Sequence, residues 1–239
     1  MHKIELIKDD CMNVMAKYPD KHFDLAIVDP PYGINAENMQ IGSNPNRSRN
    51  DGHGSGPGVS TAVKLKGRLN TGSGKLKNRL LNKSEIGWDN QIPSAEYFKE
   101  LERVSKNRII WGGNYFPLPP TRGIIAWNKL QPWDNFSQFE LAWTSFDCPA
   151  KLFSYSNTGG SNLEKKIHPT QKPADLYKYC LHHFAKEGNK IFDSHLGSGS
   201  IAIACHDYKF DLVGCELDKD YFESAKKRFD NHCRQTTLF

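Results

Sequence analysis

Apolar positions along this chain follow two patterns that alternate from one end to the other. Short apolar runs, typical of buried strands, occupy residues 3–8, 25–28, 108–111, 123–128, 139–146, 190–193 and 210–216. Apolar residues recur every three or four positions, as on one face of a helix, in residues 11–18, 94–106, 199–208 and 219–233, and from 169 or 170 to 186. This alternation predicts an α/β domain with a mainly parallel, doubly wound sheet. We expect one such domain over residues 1–239.

One long segment breaks the alternation. Residues 35–83 contain no aromatic side chain, eight glycines lie between Gly42 and Gly74, and such a composition cannot bury a core of its own. Residues 36–85 carry nine Lys/Arg and three acids, a balance of +6 that exceeds the +5 of the whole chain.

We interpret residues 35–85 as a basic, Gly-rich insertion or mobile arm that contacts phosphate, although a solvated insertion without a role fits the same composition. The candidate DNA-binding residues are Arg47, Arg49, Lys64, Lys66, Arg68, Lys75, Lys77 and Arg79.

Composition excludes several other classes of protein. No apolar stretch approaches the roughly 20 residues that a membrane span needs, and the first residues do not resemble a signal peptide. The six cysteines are scattered without a Cys-x-x-Cys pair, which argues against a zinc site and against a disulfide framework. We therefore expect a cytoplasmic protein without a metal site.

The sequence Asp29-Pro30-Pro31-Tyr32 directly follows the apolar run at 25–28. A strand cannot continue through two prolines, because proline lacks the amide hydrogen that the ladder needs. Pro31 also favours an extended conformation at Pro30. The segment therefore displays a carboxylate, a carbonyl and an aromatic ring on a stiff arm.

These three groups suit the chemistry of an aromatic amine such as N6 of adenine. The lone pair of that nitrogen is delocalised into the ring, so the amine is a poor nucleophile. Two acceptors, the Asp29 carboxylate and the Pro30 carbonyl, can stabilise the positive charge that develops on it during attack. Tyr32 can stack on an unstacked base. An ordinary turn after a strand, with Tyr32 in the core, is the alternative.

Acidic residues follow several of the predicted strands. Asp9-Asp10, Asp29, Asp193 and Glu216 each lie at a carboxyl end, and in parallel sheets ligands bind outside these ends. Glycines in the turn 193–200 let backbone approach a ligand, and Glu216 can hold both hydroxyls of a ribose. A nicotinamide dinucleotide would fit this pair as well. However, Ala202 replaces the third glycine of that fingerprint, and no Gly-x-x-x-x-Gly-Lys phosphate loop is present.

The order of these motifs resembles the β class of bacterial and phage DNA amino-methyltransferases, which use S-adenosylmethionine. Asp-Pro-Pro-Tyr comes early, the glycine turn and Glu216 come late, and residues 168–173 (His-Pro-Thr-Gln-Lys-Pro) resemble the motif that precedes the turn in that class. The resemblance implies a Rossmann-like methyltransferase fold with circularly permuted motifs. It also implies methyl transfer to N6 of a flipped-out adenine in double-stranded DNA.

The resemblance carries over to individual residues. It implies Asp29, Pro30, Pro31 and Tyr32 as the catalytic residues. It implies a cofactor site of Asp10, Cys11, Asp29, His168, Thr170, Lys172, Asp193, Leu196, Gly197, Ser198, Gly199, Ser200, Glu216 and Leu217. We prefer Asp10 to Asp9 as the adenine contact and interpret His168 as a local structural group. Lys172 either faces the cofactor carboxylate or is solvated.

This chain departs from the family pattern at two places. Ser194-His195 stands where the family often has Pro-Phe, and only residues 148–166 are available as a short target-recognition segment. The aromatic residues Trp111, Tyr115, Phe116, Trp127, Trp133 and Trp143 are predicted mostly as core, with Trp133 as a candidate DNA contact.

The partners and the target atom are less sharply defined by the sequence. A chain of this size has little surface for reading DNA, which favours a homodimer, and the resemblance leaves room for a cognate restriction endonuclease. An N4-cytosine enzyme, an RNA-adenine enzyme and a catalytically silent DNA-binding regulator remain open as alternatives.

Overall fold

A computed structural model describes residues 2–34, 87–130, 137–156 and 166–236 of the chain. Its strands are β1 (Ile4–Lys8), β2 (Phe23–Val28), β3 (Ser105–Trp111), β4 (Ile124–Asn128), β5 (Phe139–Thr144), β6 (Lys151–Ser154), β7 (Lys190–Asp193) and β8 (Asp211–Glu216). Its helices are α1 (Cys11–Met15), α2 (Ala95–Val104), α3 (Ala174–Phe184), α4 (Ser200–Tyr208) and α5 (Lys219–Thr236). The predicted arm at 35–85 with its eight basic candidates, Trp133 and residues 157–165 of the target-recognition candidate lie outside the described residues.

The strands form one sheet in the order β1-β8-β7-β2-β3-β5-β4-β6. β5 runs antiparallel to both of its neighbours, whereas every other pairing in this sheet is parallel. The prediction of a mainly parallel sheet is therefore confirmed. Lys8 pairs with Glu216 and Asp193 pairs with Gly214, so the carboxyl ends of β1, β8 and β7 lie side by side.

Helices cover both faces of the sheet. Leu25 and Ile27 of β2 belong to a core that includes residues of α3, α4 and α5, whereas Ala26 and Val28 belong to a second core with residues of α1 and α2. Successive side chains of a strand point to opposite faces, so β2 is buried on both sides. This arrangement confirms the doubly wound α/β architecture. No helix in the described part of the chain is both long and apolar enough to cross a membrane.

Three element predictions are wrong. The helix predicted to open at residue 169 or 170 begins at Ala174, because Pro173 disfavours helical backbone at Lys172 and is itself extended at the N-cap. β3 begins at Ser105, directly after α2, because pairing with β2 extends the strand. The stretch 148–166, in which the apolar pattern predicts no strand or helix, contains β6, which pairs with β4 at the edge of the sheet.

A positive-φ glycine after β3 determines where Tyr32 can lie. Gly112 has φ +71°, and a Cβ atom there would lie 2.2 Å from Cε1 of Tyr32. Gly188, between α3 and β7, has φ +83° and open space where a Cβ would be. Both glycines have a left-handed backbone, but only Gly112 has a side chain close to the position of a Cβ atom. Gly188 therefore serves as a matched control for Gly112.

We predict that Gly112→Ala destabilises the protein more than Gly188→Ala. The left-handed backbone costs an alanine about 1–2 kcal/mol at both sites, and only at residue 112 does the methyl group collide with an aromatic ring. Urea unfolding of the two variants measures the difference. Equal free energies of unfolding would show that the Tyr32 ring is not tightly confined.

Candidate active site

The Asp29-Pro30-Pro31-Tyr32 loop leaves the carboxyl end of β2 and is held by a residue that sequence inspection missed. The buried Asp89 carboxylate accepts hydrogen bonds from the backbone N–H groups of Tyr32, at 2.6 Å, and Gly33, at 2.9 Å. Hydrogen bonds from two successive amides fix the loop conformation. Asp89 lies 57 residues from Tyr32 in sequence, and no local motif signals this pairing.

Both carboxylate oxygens of Asp29 are engaged. The Tyr32 hydroxyl donates to Oδ1 at 2.6 Å, and the Lys172 ammonium donates to Oδ2 at 2.6 Å. The Asp29 and Lys172 side chains are 16% and 2% exposed, so solvent screens this pair weakly. The alternative of a solvated Lys172 is therefore wrong. The residue lines the same cavity as Asp29, with its ammonium on a protein carboxylate.

The charges continue beyond Lys172. Glu140 of β5 places Oε2 at 3.0 Å from Lys172 Nζ, and its other oxygen pairs with Lys129. Burial by itself would raise the pKa of Glu140, but the two ammonium groups outweigh this and lower it to about 2. Burial would lower the pKa of Lys172, yet Asp29 and Glu140 raise it instead. Glu140 was not among the predicted site residues, because a lone acid in a strand carries no motif.

Tyr32 packs among aromatic rings at this end of the sheet. Its ring stacks on Tyr115 with centroids 4.9 Å apart and planes 13° apart, and Phe116 meets it edge-on. Tyr115 is 40% exposed, so its prediction as a core residue is wrong, whereas Phe116 is buried as expected. Tyr115 is exposed because the 3₁₀ turn Gly113–Tyr115 lies at the rim of the sheet. One face of the Tyr32 ring is therefore already stacked on an aromatic residue of the protein.

The glycine turn and Glu216 are joined directly. Gly197, with φ +51°, donates its backbone N–H to Oε2 of Glu216 at 2.8 Å, and Asp218 donates its backbone N–H to Oε1 at 3.0 Å. Burial raises the pKa of Glu216, against these two backbone donors. The turn and the acid therefore form one unit at the carboxyl ends of β7 and β8.

A single cavity brings the two halves together. It is lined by Asp10, Cys11, Asp29, Pro31, Trp88, His168, Thr170, Gln171, Lys172, Tyr177, Ser194, His195, Leu196, Gly197, Ser198, Glu216, Leu217, Asp218 and Tyr221. Asp29 from the early motif and Gly197 from the late turn thus face the same space. Asp10 lines it, whereas Asp9 instead bonds to Asn13 and Lys17.

Three predicted cofactor residues do not line the cavity. Asp193 is buried and accepts the backbone N–H of His195. Gly199 is the left-handed N-cap of α4 and faces Ala225. Ser200 donates its hydroxyl to the backbone carbonyl of Lys172 at 2.6 Å. Asp193 thus holds the turn through His195. Gly199 and Ser200 lie at the start of α4, where Ser200 anchors the segment that carries Lys172.

Of the predicted catalytic residues, Asp29 and Pro31 line the cavity, whereas Pro30, which is buried, and Tyr32, which donates its hydroxyl to Asp29, do not. Besides Ser194 and His195 of the glycine turn, which were not among the predicted site residues, sequence inspection missed five lining residues: Trp88, Gln171, Tyr177, Asp218 and Tyr221. A signal existed for two of them, because Gln171 belongs to the His-Pro-Thr-Gln-Lys-Pro motif and Asp218 follows Glu216 closely.

The cavity lining is strongly acidic. Asp10, Asp29, Glu216 and Asp218 oppose a single ammonium group, that of Lys172. Burial lowers the pKa of His168 to about 3 and that of His195 to about 4, so both imidazoles are neutral at pH 7. The cavity therefore favours a cationic ligand with hydroxyl donors. Within the described residues, no group of three or more His, Cys, Asp or Glu is arranged to hold a metal ion.

Comparison with solved structures identifies the fold. The structure described as the M1.HpyAVI–SAM complex superposes with a TM-score of 0.55 at 17% identity, over 94% of this chain and 99% of that one. The cytosine-N4-specific PvuII DNA methyltransferase superposes with a TM-score of 0.54 at 12% identity, over 96% and 87% of the two chains. The Rossmann-like methyltransferase fold is confirmed.

Sequence comparison points to the same class of protein. Residues 110–227 match a family model described as DNA methylase. The type II methyltransferase M.HpaI of Haemophilus parainfluenzae is 32% identical over 83 residues, which cover 35% of this chain and 26% of that protein. M.BglII of Bacillus subtilis is 21% identical over 94% of this chain and 68% of that protein. The family model spans just under half of the chain, and together with these relatives it supports the assignment to the S-adenosylmethionine-dependent DNA amino-methyltransferases that the motifs indicate.

We predict that Asp193→Asn stabilises the protein near pH 7. Burial raises the pKa of Asp193 to about 8, far above its unfolded value of 3.8. Between these values the unfolded chain loses this proton while the folded chain keeps it, so wild-type stability falls as pH rises. Asparagine has no proton to lose and can still accept the His195 N–H.

Thermal melting of both proteins from pH 4 to pH 8 measures this effect. The variant should melt close to the wild type at pH 4 and above it at pH 7, with the gap widening between. A constant gap across this range would show that Asp193 is ionised in the folded protein.

Proposed function

We propose that this protein transfers a methyl group from S-adenosylmethionine to N6 of an adenine flipped out of double-stranded DNA. The observation that supports this most directly is the single cavity lined by both Asp29 and the Gly197–Glu216 unit. One group suits an aromatic amine and the other suits a nucleoside cofactor. Their shared cavity places a donor and an acceptor within reach of each other.

The residues present fit S-adenosylmethionine. This cofactor supplies an electrophilic methyl group on a sulfonium cation, and the acidic lining of the cavity favours a cation. The Glu216 carboxylate, oriented by the backbone N–H groups of Gly197 and Asp218, is placed to accept the ribose hydroxyls. Asp10, which accepts the Met12 N–H at the start of α1, is assigned to the adenine of the cofactor. Leu196 and Leu217 supply apolar walls.

The proposed role of Asp29 is to accept an N–H of the target amine and to stabilise the positive charge that forms on it. The side chain is mostly buried, which strengthens this interaction because little water competes. In the resting structure both of its oxygens are occupied, so the amine must displace Tyr32 or Lys172. The Pro30 carbonyl is the proposed second acceptor.

The proton lost from the methylated amine needs no dedicated histidine. His168 and His195 are poor bases, because burial lowers their pKa values to about 3 and about 4. The methylated amine is acidic enough to give its proton to Asp29 or to water after the transfer. His168 lies instead against Tyr221, with ring centroids 4.3 Å apart, as expected of a structural group.

The choice of adenine rests on Asp29 as the first residue of the motif, as in the family resemblance. An extruded base costs a few kcal/mol of lost stacking, and an aromatic surface offsets part of this. Tyr32 is the proposed surface, with Tyr115 already stacked on it. Digesting methylated DNA and identifying the modified nucleoside separates N6-methyladenine from N4-methylcytosine. An RNA substrate tested in parallel examines the alternative of an RNA-adenine enzyme.

We also propose that the basic segment 35–85 and the segment 148–166 contact DNA, and that two copies of the chain act together. The charge of +6 in the first segment supports the contact with phosphate. The partners remain proposals, as does a cognate restriction endonuclease.

We predict that Asp29→Ala abolishes methyl transfer and leaves S-adenosylmethionine binding largely intact, because Asp29 is proposed to act on the amine. Transfer of tritiated methyl to DNA and calorimetric titration of the cofactor measure the two properties separately. Asp147→Ala is the control, since Asp147 forms only an exposed ion pair with Arg122 and should leave transfer unchanged. Wild-type transfer by the Asp29 variant would exclude the assigned role.

We predict that replacing Arg47, Arg49, Lys64, Lys66, Arg68, Lys75, Lys77 and Arg79 by glutamine weakens DNA binding and reduces its salt dependence. Each lost phosphate contact lowers the slope of log K against log salt by about 0.9. The matched control exchanges lysine and arginine at the same eight positions, keeps the charge and should retain the slope. If the glutamine variant keeps the wild-type slope, this segment does not contact phosphate.

A further inference from the structure

The buried ammonium group of Lys172 lies between two carboxylates that come from different parts of the sheet. Its Nζ atom is 2.6 Å from Oδ2 of Asp29 and 3.0 Å from Oε2 of Glu140. The Lys172 side chain is 2% exposed, whereas the carboxylate side chains are 16% and 23% exposed. Lys129 holds the other oxygen of Glu140 and so fixes the second carboxylate in place.

A cation at this position conflicts with the proposed role of Asp29. Lys172 occupies an oxygen that the target amine would use, and its charge opposes the positive charge that develops on that amine. If Asp29 bound Lys172 and the target amine at the same time, the Lys172 ammonium would neutralise its charge during the reaction. The conflict disappears if Lys172 has another acceptor within reach, and Glu140 is that acceptor.

We propose that Glu140 is a positioning residue that takes over the Lys172 ammonium when the target amine binds Asp29. This inference rests on the proposed function. Before the amine arrives, Lys172 lowers the pKa of the buried Asp29 and so favours its ionised form. Once the amine binds, Lys172 moves fully to Glu140 and frees Oδ2. The move is short, because Lys172 Nζ already lies within 3.0 Å of both carboxylates. Lys172 stays protonated, so no covalent bond or proton changes hands in this step.

The charges around Asp29 predict the direction in which its pKa shifts when Glu140 or Lys172 is replaced. The titratable and charged groups that face Asp29 are Tyr32 on its own loop, Lys172, Glu140, Tyr177 of α3 and Asp193 of β7. Burial raises the pKa of Asp29, Lys172 lowers it and Glu140 raises it. Removing the charge of Glu140 should therefore lower this pKa, and removing that of Lys172 should raise it. Opposite shifts would show that both charges act on Asp29, and a lower plateau of kcat in Glu140→Gln would show in addition that Lys172 must leave Asp29.

The test compares Glu140→Gln, Lys172→Met and the double variant with the wild type. The acid limb of kcat against pH reports ionisation of Asp29 in the substrate complex. Glu140→Gln should move this limb to lower pH and reduce the plateau of kcat at least about tenfold, because Lys172 then stays on Asp29. Lys172→Met should move the limb to higher pH, and the double variant should return it toward the wild-type position.

The control is Lys178→Met, which removes a partly buried lysine of α3 that pairs with Asp207 outside the cavity. It should keep the wild-type kcat and pH profile. Urea unfolding shows that each variant is folded before its rates are compared. A wild-type plateau and acid limb in folded Glu140→Gln would overturn the proposal, and so would shifts of the same sign in the two single variants.

A second readout does not depend on methyl transfer. Carbon-13 NMR of aspartate-labelled protein follows the Asp29 carboxyl through its titration, with Asp29→Asn to assign the signal. The midpoint should fall in Glu140→Gln and rise in Lys172→Met. An unchanged midpoint in Glu140→Gln would overturn the inference. If the midpoints shift as expected while the wild type methylates no DNA, the proposed function fails and the coupling of Glu140 to Asp29 stands.

Discussion

The ion pair between Asp29 and Lys172 connects two parts of the chain that are 143 residues apart. Asp29 follows the central strand β2, and Lys172 lies in the segment that leads into α3. The Ser200 hydroxyl binds the Lys172 carbonyl, so this segment is also tied to the start of α4. Through these contacts the end of β2, the approach to α3 and the glycine turn after β7 form one cavity. Removing Lys172 would take away the cation that pairs with the mostly buried Asp29 carboxylate, and proteins tolerate an unneutralised buried charge poorly.

Carboxylates that accept backbone N–H groups hold the loops of this site in place. Asp89 binds two amides of the loop after β2, Glu216 binds one amide of the glycine turn after β7 and one just beyond its own strand, and Asp10 caps α1. Backbone donors partly compensate buried negative charge without adding a cation to the cavity. The lining therefore stays acidic while its geometry is fixed. Such preorganisation suits a reaction in which positive charge passes between donor and acceptor.

The central carboxylate and the aromatic platform of the site already have partners in the resting structure. Tyr32 and Lys172 occupy the two oxygens of Asp29, and Tyr115 stacks on the Tyr32 ring. A buried carboxylate without partners would be costly, so these contacts keep Asp29 ready in the absence of substrate. An incoming base can replace each contact, because its amine can donate to Asp29 in place of Tyr32 or Lys172 and its ring can stack on Tyr32 in place of Tyr115. The proposed reaction therefore starts when the target base replaces these protein contacts on Asp29 and Tyr32.

The sequence by itself determined the α/β class, the doubly wound sheet and most of the cavity lining. Apolar periodicity is a local property of strands and helices, and motifs at the carboxyl ends of parallel strands meet wherever the sheet places them. Only the tertiary structure placed β6 in the sheet, exposed Tyr115 and brought Asp89, Glu140 and Trp88 to the site. Strand pairing and the contacts of a lone acid depend on residues far away in the chain, and nothing in the local pattern encodes those distances.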